Sequence, residues 1–155
     1  YDAGGVLARS GDVDHDLLAK LNALPFYQPK PPRTLGREWF DAQVRPLITS
    51  KAPLPDRLRT VAEHIAGMVA RELDRAKAGT ALITGGGAHN TFLIERIAAL
   101  GSARPELPSK EIIDYKEALI FAFLGMMRLR GEPNTLASVT GAARDSIGGA
   151  VYSPN

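Results

Sequence analysis

The stretch ALITGGGAHN, residues 81–90, places three consecutive glycines between an apolar run and an amphipathic one. The apolar content of residues 80–84 (TALIT) predicts a short buried strand. Residues 90–100 (NTFLIERIAAL) predict a helix that Asn90 caps and that ends before Gly101. A strand, a glycine turn and a helix in this order indicate an α/β domain.

The glycine turn also has the features of a nucleotide site. Glycines let the backbone come close to a ligand, and the unpaired N–H groups of a first helical turn point toward it. The alternative is a plain turn that needs positive φ, with Asn90 only capping the helix. GGGAHN matches neither the dinucleotide fingerprint nor the phosphate-loop motif with its lysine. Both interpretations therefore stay open from this stretch alone.

Composition excludes several classes of function. The 155 residues suit one domain, and 45% hydrophobic with 23% charged residues is ordinary for a globular protein. Nineteen basic and seventeen acidic residues are interspersed, so we expect no nucleic-acid partner. The chain has no cysteine, and its histidines lie far apart, so we predict no metal ligands. The longest apolar run, ALIFAFLGMM, is too short to span a bilayer, so we expect no membrane partner.

Apolar residues at helical spacing predict three helices in the first half of the chain, over residues 16–24, 37–48 and 56–76. Asp14 is a suitable N-cap for the first, Pro46 kinks or ends the second, and Pro55 suits the first turn of the third. The apolar stripe of the third helix runs through Leu58, Val61, Ile65, Met68, Val69 and Leu73. We interpret His64 and the charges around it as a solvated face.

Residues 115–131 (YKEALIFAFLGMMRLRG) predict a helix that is apolar almost all round, which is typical of a helix buried between other elements. Glu117 stands near its start. The apolar neighbours predict a buried carboxylate, which needs a partner such as a sugar hydroxyl or a catalytic water. The alternative is a first-turn carboxylate favoured by the helix dipole. Short strands are predicted around residues 111–114 and 148–153.

A proline-stiffened loop, residues 31–38 (PPRTLGRE), presents Arg33, Arg37 and Glu38. These residues belong either to a functional site or to an ordinary solvated surface loop. The stretch SVTGA, residues 138–142, is equally consistent with a plain Ser/Thr turn.

Six stretches, in order and over nearly the whole chain, resemble the anhydro-N-acetylmuramic acid kinase family, particularly its C-terminal half. They are YDAGGVLARSG (1–11), LLAKLNALPFY (17–27), PPRTLGREWF (31–40), ITGGGAHNTFLIERI (83–97), KEALIFAFLGMMRLRG (116–131) and SVTGAARDSIGGAVY (138–152). One departure is that the family's loop usually reads Lys-Ser where Arg33 and Thr34 stand, which keeps the charge and the hydroxyl.

The resemblance implies one lobe of an actin-like (ribonuclease H-like) two-lobed sugar kinase, with residues 1–155 as part of the C-terminal lobe. Family members are more than twice this long. Their N-terminal half carries a first phosphate loop, and the catalytic aspartate is expected just upstream of Tyr1. We therefore expect upstream sequence to complete the small sheet, the missing lobe to be a partner, and this chain alone to be inactive.

The resemblance also implies a cytoplasmic enzyme that uses ATP and Mg²⁺ on an amino sugar, 1,6-anhydro-N-acetylmuramic acid, in cell-wall recycling. It places the adenosine side of the ATP site at Thr84, Gly85, Gly86, Gly87 and Asn90. Glu117 is expected to position the sugar or the water. Arg33, Arg37 and Glu38 are expected in a substrate or interlobe loop.

Two alternatives come from the same residues. In the first alternative, the chain is a non-catalytic nucleotide-binding or dimerisation lobe. In the second, it is part of a kinase of the same superfamily that acts on another sugar or acid. Each of these interpretations is compatible with a homodimer.

Overall fold

The structure is a computed structural model that describes residues 2–27, 35–49 and 51–152. It divides into two compact units, Tyr1–Pro108 and Ser109–Asn155. None of the helices within the described ranges is long and apolar enough to cross a membrane.

The first unit is built mainly of helices. They are α1 (Val6–Ser10), α2 (His15–Asn22), α3 (Arg37–Trp39), α4 (Arg45–Ile48), α5 (Leu54–Arg75) and α6 (Thr91–Leu100). A π-helical turn, Phe40–Val44, joins α3 to α4, and 3₁₀ helices occupy Ala3–Gly5, Pro25–Tyr27 and Gly86–His89.

Two of the predicted helix starts are confirmed by their caps. The Leu17 N–H donates to Asp14 Oδ1 at 2.9 Å, and the Leu93 N–H donates to Asn90 Oδ1 at 3.0 Å. Each cap satisfies a backbone donor that the first turn of a helix leaves unpaired. Pro55 lies in the first turn of α5, as predicted.

The sheet has two parallel strands, β1 (Thr80–Leu82) and β2 (Arg104–Glu106). This confirms a helix-rich α/β chain with a small sheet, while the actin-like lobe stays a prediction. The strand expected around residues 111–114 is wrong, because those residues begin a helix and the second strand lies earlier in the chain. Pro105 makes that strand hard to predict from the sequence, since proline has no N–H to donate to a neighbouring strand and is tolerated only at sheet edges.

Helix α5 is the centre of the first unit and contacts α1, α2 and α6. Ala62, Ala66 and Ala70 recur every four residues and are all buried. Ala62 packs with Ala8 of α1 and Phe92 of α6 in one core cluster. Short side chains at this spacing let two neighbouring helices approach the α5 backbone closely.

A second core cluster joins α2 to the segments that follow it. Leu17, Leu21 and Leu24 are its buried members. Partly buried apolar side chains pack around them: Tyr27, Trp39, Val44, Leu47, Ile48 and Val61.

The predicted solvated face of α5 is wrong. Glu63 and His64 are 8% and 6% exposed, whereas Ile65 of the predicted apolar stripe is 41% exposed. Glu63 pairs with Arg59 and Arg96, and His64 hydrogen-bonds to Asn22 and Tyr27. The buried face is wider than the apolar stripe because its polar members find partners on other elements.

The second unit contains α7 (Lys110–Arg130) and α8 (Ala137–Thr140). Gly131 ends α7 in a left-handed conformation with φ of 70°. The N–H of Gly131 donates to the Arg128 carbonyl, and that of Glu132 donates to the Met127 carbonyl. This pair of hydrogen bonds is the Schellman motif, and it satisfies two carbonyl groups at the end of the helix.

The predicted burial of this helix is not found. No residue of α7 is buried, and Phe121 and Leu129 are 72% and 75% exposed. An apolar sequence pattern predicts that a helix is covered, but it does not show which surface covers it.

The strand predicted over residues 148–153 is also wrong as far as it is described, because residues 148–152 form no strand. The Gly148 N–H donates to Asn134 Oδ1 at 2.7 Å, and Asn134 Nδ2 donates to the Leu124 carbonyl at 3.1 Å. A side-chain amide therefore holds the segment at Gly148.

The first prediction concerns Gly5, which has φ of +76°. A Cβ there would lie 2.6 Å from Phe92 Cβ and closer still to the Asn90 amide oxygen. We expect Gly5→Ala to lower the free energy of unfolding by about 1–3 kcal/mol, measured by urea denaturation.

Gly67→Ala is the matched control, because a Cβ at that position in α5 meets nothing within 4 Å. It should raise stability by roughly 0.5–1 kcal/mol. Equal stability of the Gly5→Ala and unsubstituted proteins would show that Gly5 does not hold α1 against α6.

Candidate functional site

The glycine turn leaves β1 and enters α6 through a short 3₁₀ helix. The Ala88 N–H donates to the Gly85 carbonyl at 2.9 Å, and the Asn90 N–H donates to the Gly87 carbonyl at 3.1 Å. Gly85 has φ of 80° and ψ of 180°, a conformation that side chains disfavour strongly. The turn itself therefore requires glycine at position 85.

The other two glycines have no such internal reason. Neither Gly86 nor Gly87 has a positive φ, and a Cβ at either position would meet nothing within 4 Å. Both residues are exposed. Within the described chain a larger side chain would therefore fit at either position.

A cleft of about 390 Å³ opens beside the turn. Thr84 and Gly87 belong to its wall. The rest of the lining comes from apolar side chains of α5, β1 and α6 and the residue after β1, among them Val69, Ala81, Ile83 and Ile94. This is a mostly apolar wall with a short polar and backbone rim, the usual character of a small-molecule pocket.

The N-terminal segment supports the start of α6, which sequence reasoning missed. Thr91 Oγ1 donates to the Gly4 carbonyl at 3.0 Å. Asp2 caps α1 with both carboxylate oxygens, which accept from the N–H groups of Leu7 and Ala8 at 2.9 and 3.0 Å. An Asp followed by an alanine and two glycines before an apolar stretch is a capping signal that could have predicted this contact.

A buried ion pair network holds α6 against α5. Glu63 Oε1 accepts from Arg59 Nε and Nη2 at 3.1 and 3.0 Å and lies 2.8 Å from Arg96 Nε of α6. The Arg96 nitrogen makes no aligned hydrogen bond, so that contact is an ion pair only. Two cations against one carboxylate satisfy a charge that is costly to bury alone.

Cation–π contacts and a surface ion pair extend this network. Arg59 and Arg9 each place the guanidinium 5.0 Å from the centre of the Phe92 ring. Arg9 also donates to Glu95 at 2.8 Å, which lowers the pKa of the Glu95 carboxyl. These contacts orient α6, and therefore the turn that leads into it, relative to α5 and α1.

Arg37 and Glu38 lie on the short helix α3 and are both exposed. Arg37 Nε is 3.7 Å from Asp41 Oδ2. Trp39, the last residue of that helix, packs near the Phe26 and Tyr27 rings. Arg33 lies outside the described residues.

Glu117 belongs to the second unit, and two expectations about it are wrong. The residue is exposed rather than buried, because α7 leaves its apolar face uncovered. It is also not in a first turn, since α7 begins at Lys110 and Glu111 is its first-turn acid. The helix-dipole explanation therefore fails, and a role for Glu117 stays a prediction.

The described residues contain no cluster of three or more His, Cys, Asp or Glu side chains that could hold a metal ion.

The family model described as anhydro-N-acetylmuramic acid kinase matches residues 1–154. This chain belongs to the anhydro-N-acetylmuramic acid kinase family. Curated relatives of that name include one from Gloeobacter violaceus, 37% identical over 93% of this chain. Others come from Mannheimia succiniciproducens, 32% identical, and Xanthomonas axonopodis pv. citri, 38% identical, each over 98% of this chain.

The chain spans 40%, 44% and 42% of the lengths of these three relatives. The resemblance stated from the sequence is thereby confirmed at the level of the kinase family.

Proposed function

We propose that this chain is part of an ATP-dependent kinase that acts on 1,6-anhydro-N-acetylmuramic acid. Water opens the anhydro bridge between C1 and O6, and O6 takes the γ-phosphoryl group. The products are N-acetylmuramic acid 6-phosphate and ADP. The observation that carries this proposal is the family match over residues 1–154.

In this proposal the chain supplies the adenosine side of the ATP site. The segment from Thr84 to Asn90 lines it, with Gly86 and Gly87 against the nucleotide. Their openness supports this assignment, because a Cβ at either position would meet nothing of the described chain. The apolar cleft next to Thr84 and Gly87 supports it further, since it offers a surface on which a planar base can pack.

When bound, ATP supplies the phosphoryl group and Mg²⁺ neutralises its charge. Mg²⁺ is commonly held by substrate phosphates together with one or two carboxylates. We assign no metal ligand to this chain, whose described residues contain no group of three or more His, Cys, Asp or Glu side chains that could hold a metal ion.

The remaining candidates position the sugar or the water. Glu117 offers an exposed carboxylate on an otherwise apolar stretch of α7, which suits a hydrogen bond to a sugar hydroxyl or to the attacking water. Arg37 and Glu38 offer one charge of each sign on α3. We assign the general base to none of them, because the resemblance puts the catalytic aspartate outside this chain.

The proposal is tested by activity. A whole-length protein of the family that carries this chain should convert ATP and the anhydro-sugar to ADP and the sugar 6-phosphate. The 155 residues alone should give no measurable turnover, because positioning supplies about 7–11 kcal/mol of a barrier and half a site forfeits most of it. Turnover by the 155 residues comparable to the whole-length protein would place the base within them and end the two-lobe assignment.

Gly86→Val tests the nucleotide assignment. The open surroundings of Gly86 should let the variant fold normally, so that only a bound nucleotide meets the new side chain. ATP binding to the whole-length protein should weaken by roughly 1–3 kcal/mol, measured by calorimetry.

Gly79→Val is the matched control, because it also has free space around its Cβ but lies before β1. It should bind ATP like the unsubstituted protein. An ATP affinity for folded Gly86→Val equal to that of Gly79→Val would remove the nucleotide from this turn.

Glu117→Gln keeps the shape of the side chain and removes its charge. We expect turnover to fall by about 10²-fold, the scale of a misplaced reactant, with little change in thermal stability. Glu132→Gln, at a partly exposed carboxylate of the second unit that pairs with Arg130, is the control and should keep its turnover. A Glu117→Gln protein that loses stability but keeps turnover per folded molecule would make Glu117 a structural residue.

A further inference from the structure

A buried histidine joins three elements of the first unit. His64 of α5 places Nδ1 2.7 Å from Asn22 Oδ1 at the end of α2. Its Nε2 lies 3.0 Å from the Tyr27 hydroxyl, in the 3₁₀ helix Pro25–Tyr27. The proposed function uses none of these three side chains.

The partners determine the tautomer. The Asn22 Oδ1 can only accept, so Nδ1–H donates to it, and Nε2 then accepts from the Tyr27 hydroxyl. Burial, and secondly the charge of Arg71, lower the pKa of His64 and favour this neutral form. Both ring nitrogens are therefore satisfied with one directed bond each.

Tyr27 passes this constraint to Trp39. The two rings lie 6.5 Å apart at 89°, an edge-to-face pair. Phe26 lies 5.3 Å from the Trp39 ring and 5.2 Å from the Tyr27 ring. Pairs of this geometry have preferred orientations, so the position of Tyr27 restricts that of Trp39.

Trp39 in turn restricts Arg37 and Glu38. All three residues make up α3, the first turn of a helical segment that continues through the π-helical turn into α4, and a segment this short depends on tertiary contacts. Arg37 and Glu38 are exposed, so Trp39 is the residue of this helix that packs into the unit.

We propose that His64 is a positioning residue that fixes Arg37 and Glu38 for the sugar substrate through Tyr27 and Trp39. The inference rests on the proposed function, in which Arg37 and Glu38 face the substrate. A stabilising role alone is the weaker account, since apolar groups of the same shape in place of both partners of a buried hydrogen bond can be nearly neutral for stability. What directed bonds supply beyond that is orientation.

The test uses a whole-length protein that carries this chain. Tyr27→Phe removes only the hydroxyl that His64 accepts from, and it keeps the ring packed on Trp39. His64→Gln is the second variant. His15→Gln is the control, because His15 is exposed at the start of α2.

Two readouts are measured for each variant. The first is KM for the anhydro-sugar, KM for ATP and kcat. The second is the emission of Trp39, the only tryptophan of the 155 residues. It is obtained in the larger protein as the difference from a Trp39→Phe variant.

We expect both variants to raise KM for the sugar about tenfold, with KM for ATP and kcat within about twofold. Trp39 emission should shift to longer wavelength as the ring gains contact with water. The His15→Gln protein should match the unsubstituted one in both readouts.

The inference is overturned if Tyr27→Phe and His64→Gln keep the KM for the sugar. It is equally overturned if both KM values or kcat change together with thermal stability, since that pattern marks a purely structural role. If the unsubstituted protein does not phosphorylate the anhydro-sugar, the proposed function fails instead. Trp39 emission then decides the positioning by itself: unchanged emission in Tyr27→Phe refutes it, and a shift supports it.

Discussion

The first unit depends on the close approach of two helices to one face of α5. Ala62, Ala66 and Ala70 are buried at four-residue spacing, and a Cβ on Gly101 would lie only 3.0 Å from Ala70 Cβ. Larger side chains would separate α6 from α5 and leave cavities or strain around Phe92. Because α6 follows directly from the glycine turn, this packing also determines where the candidate nucleotide site lies.

Buried polar groups on the same helix add direction to this packing. Glu63 bridges to Arg96 of α6, and His64 bridges to Asn22 and Tyr27. The free energy gained by burying apolar side chains is roughly proportional to the buried area and depends little on their orientation. A buried charge or ring nitrogen, by contrast, is satisfied only when its hydrogen-bond or ion-pair partners lie in a few particular positions. The two neighbouring residues therefore orient different parts of the unit: the glycine turn through α6, and α3 through Tyr27 and Trp39.

The three glycines of the turn differ in the reason for their presence. Gly85 is explained by its backbone conformation, while Gly86 and Gly87 are explained by nothing in the described chain. Substitutions at Gly86 and Gly87 can therefore test contact with a ligand without disturbing the backbone conformation of the turn. Glu117 is a comparable case in the second unit, since neither burial nor a helix terminus accounts for it.

The family was predictable from six stretches spread over the chain. Local structure was predictable as well: the caps at Asp14 and Asn90, the helix ends at Gly101 and Gly131, and the strand before the glycines, although its Leu82 is 67% exposed rather than buried. These features depend on a few neighbouring residues, whose backbone preferences and hydrogen bonds act over one turn. The burial of Glu63 and His64, the strand at residues 104–106 and the exposure of α7 were decided only by the tertiary structure. Their partners lie far away in sequence, and a polar side chain is stable in a core only when such partners arrive, which no periodicity within one helix reveals.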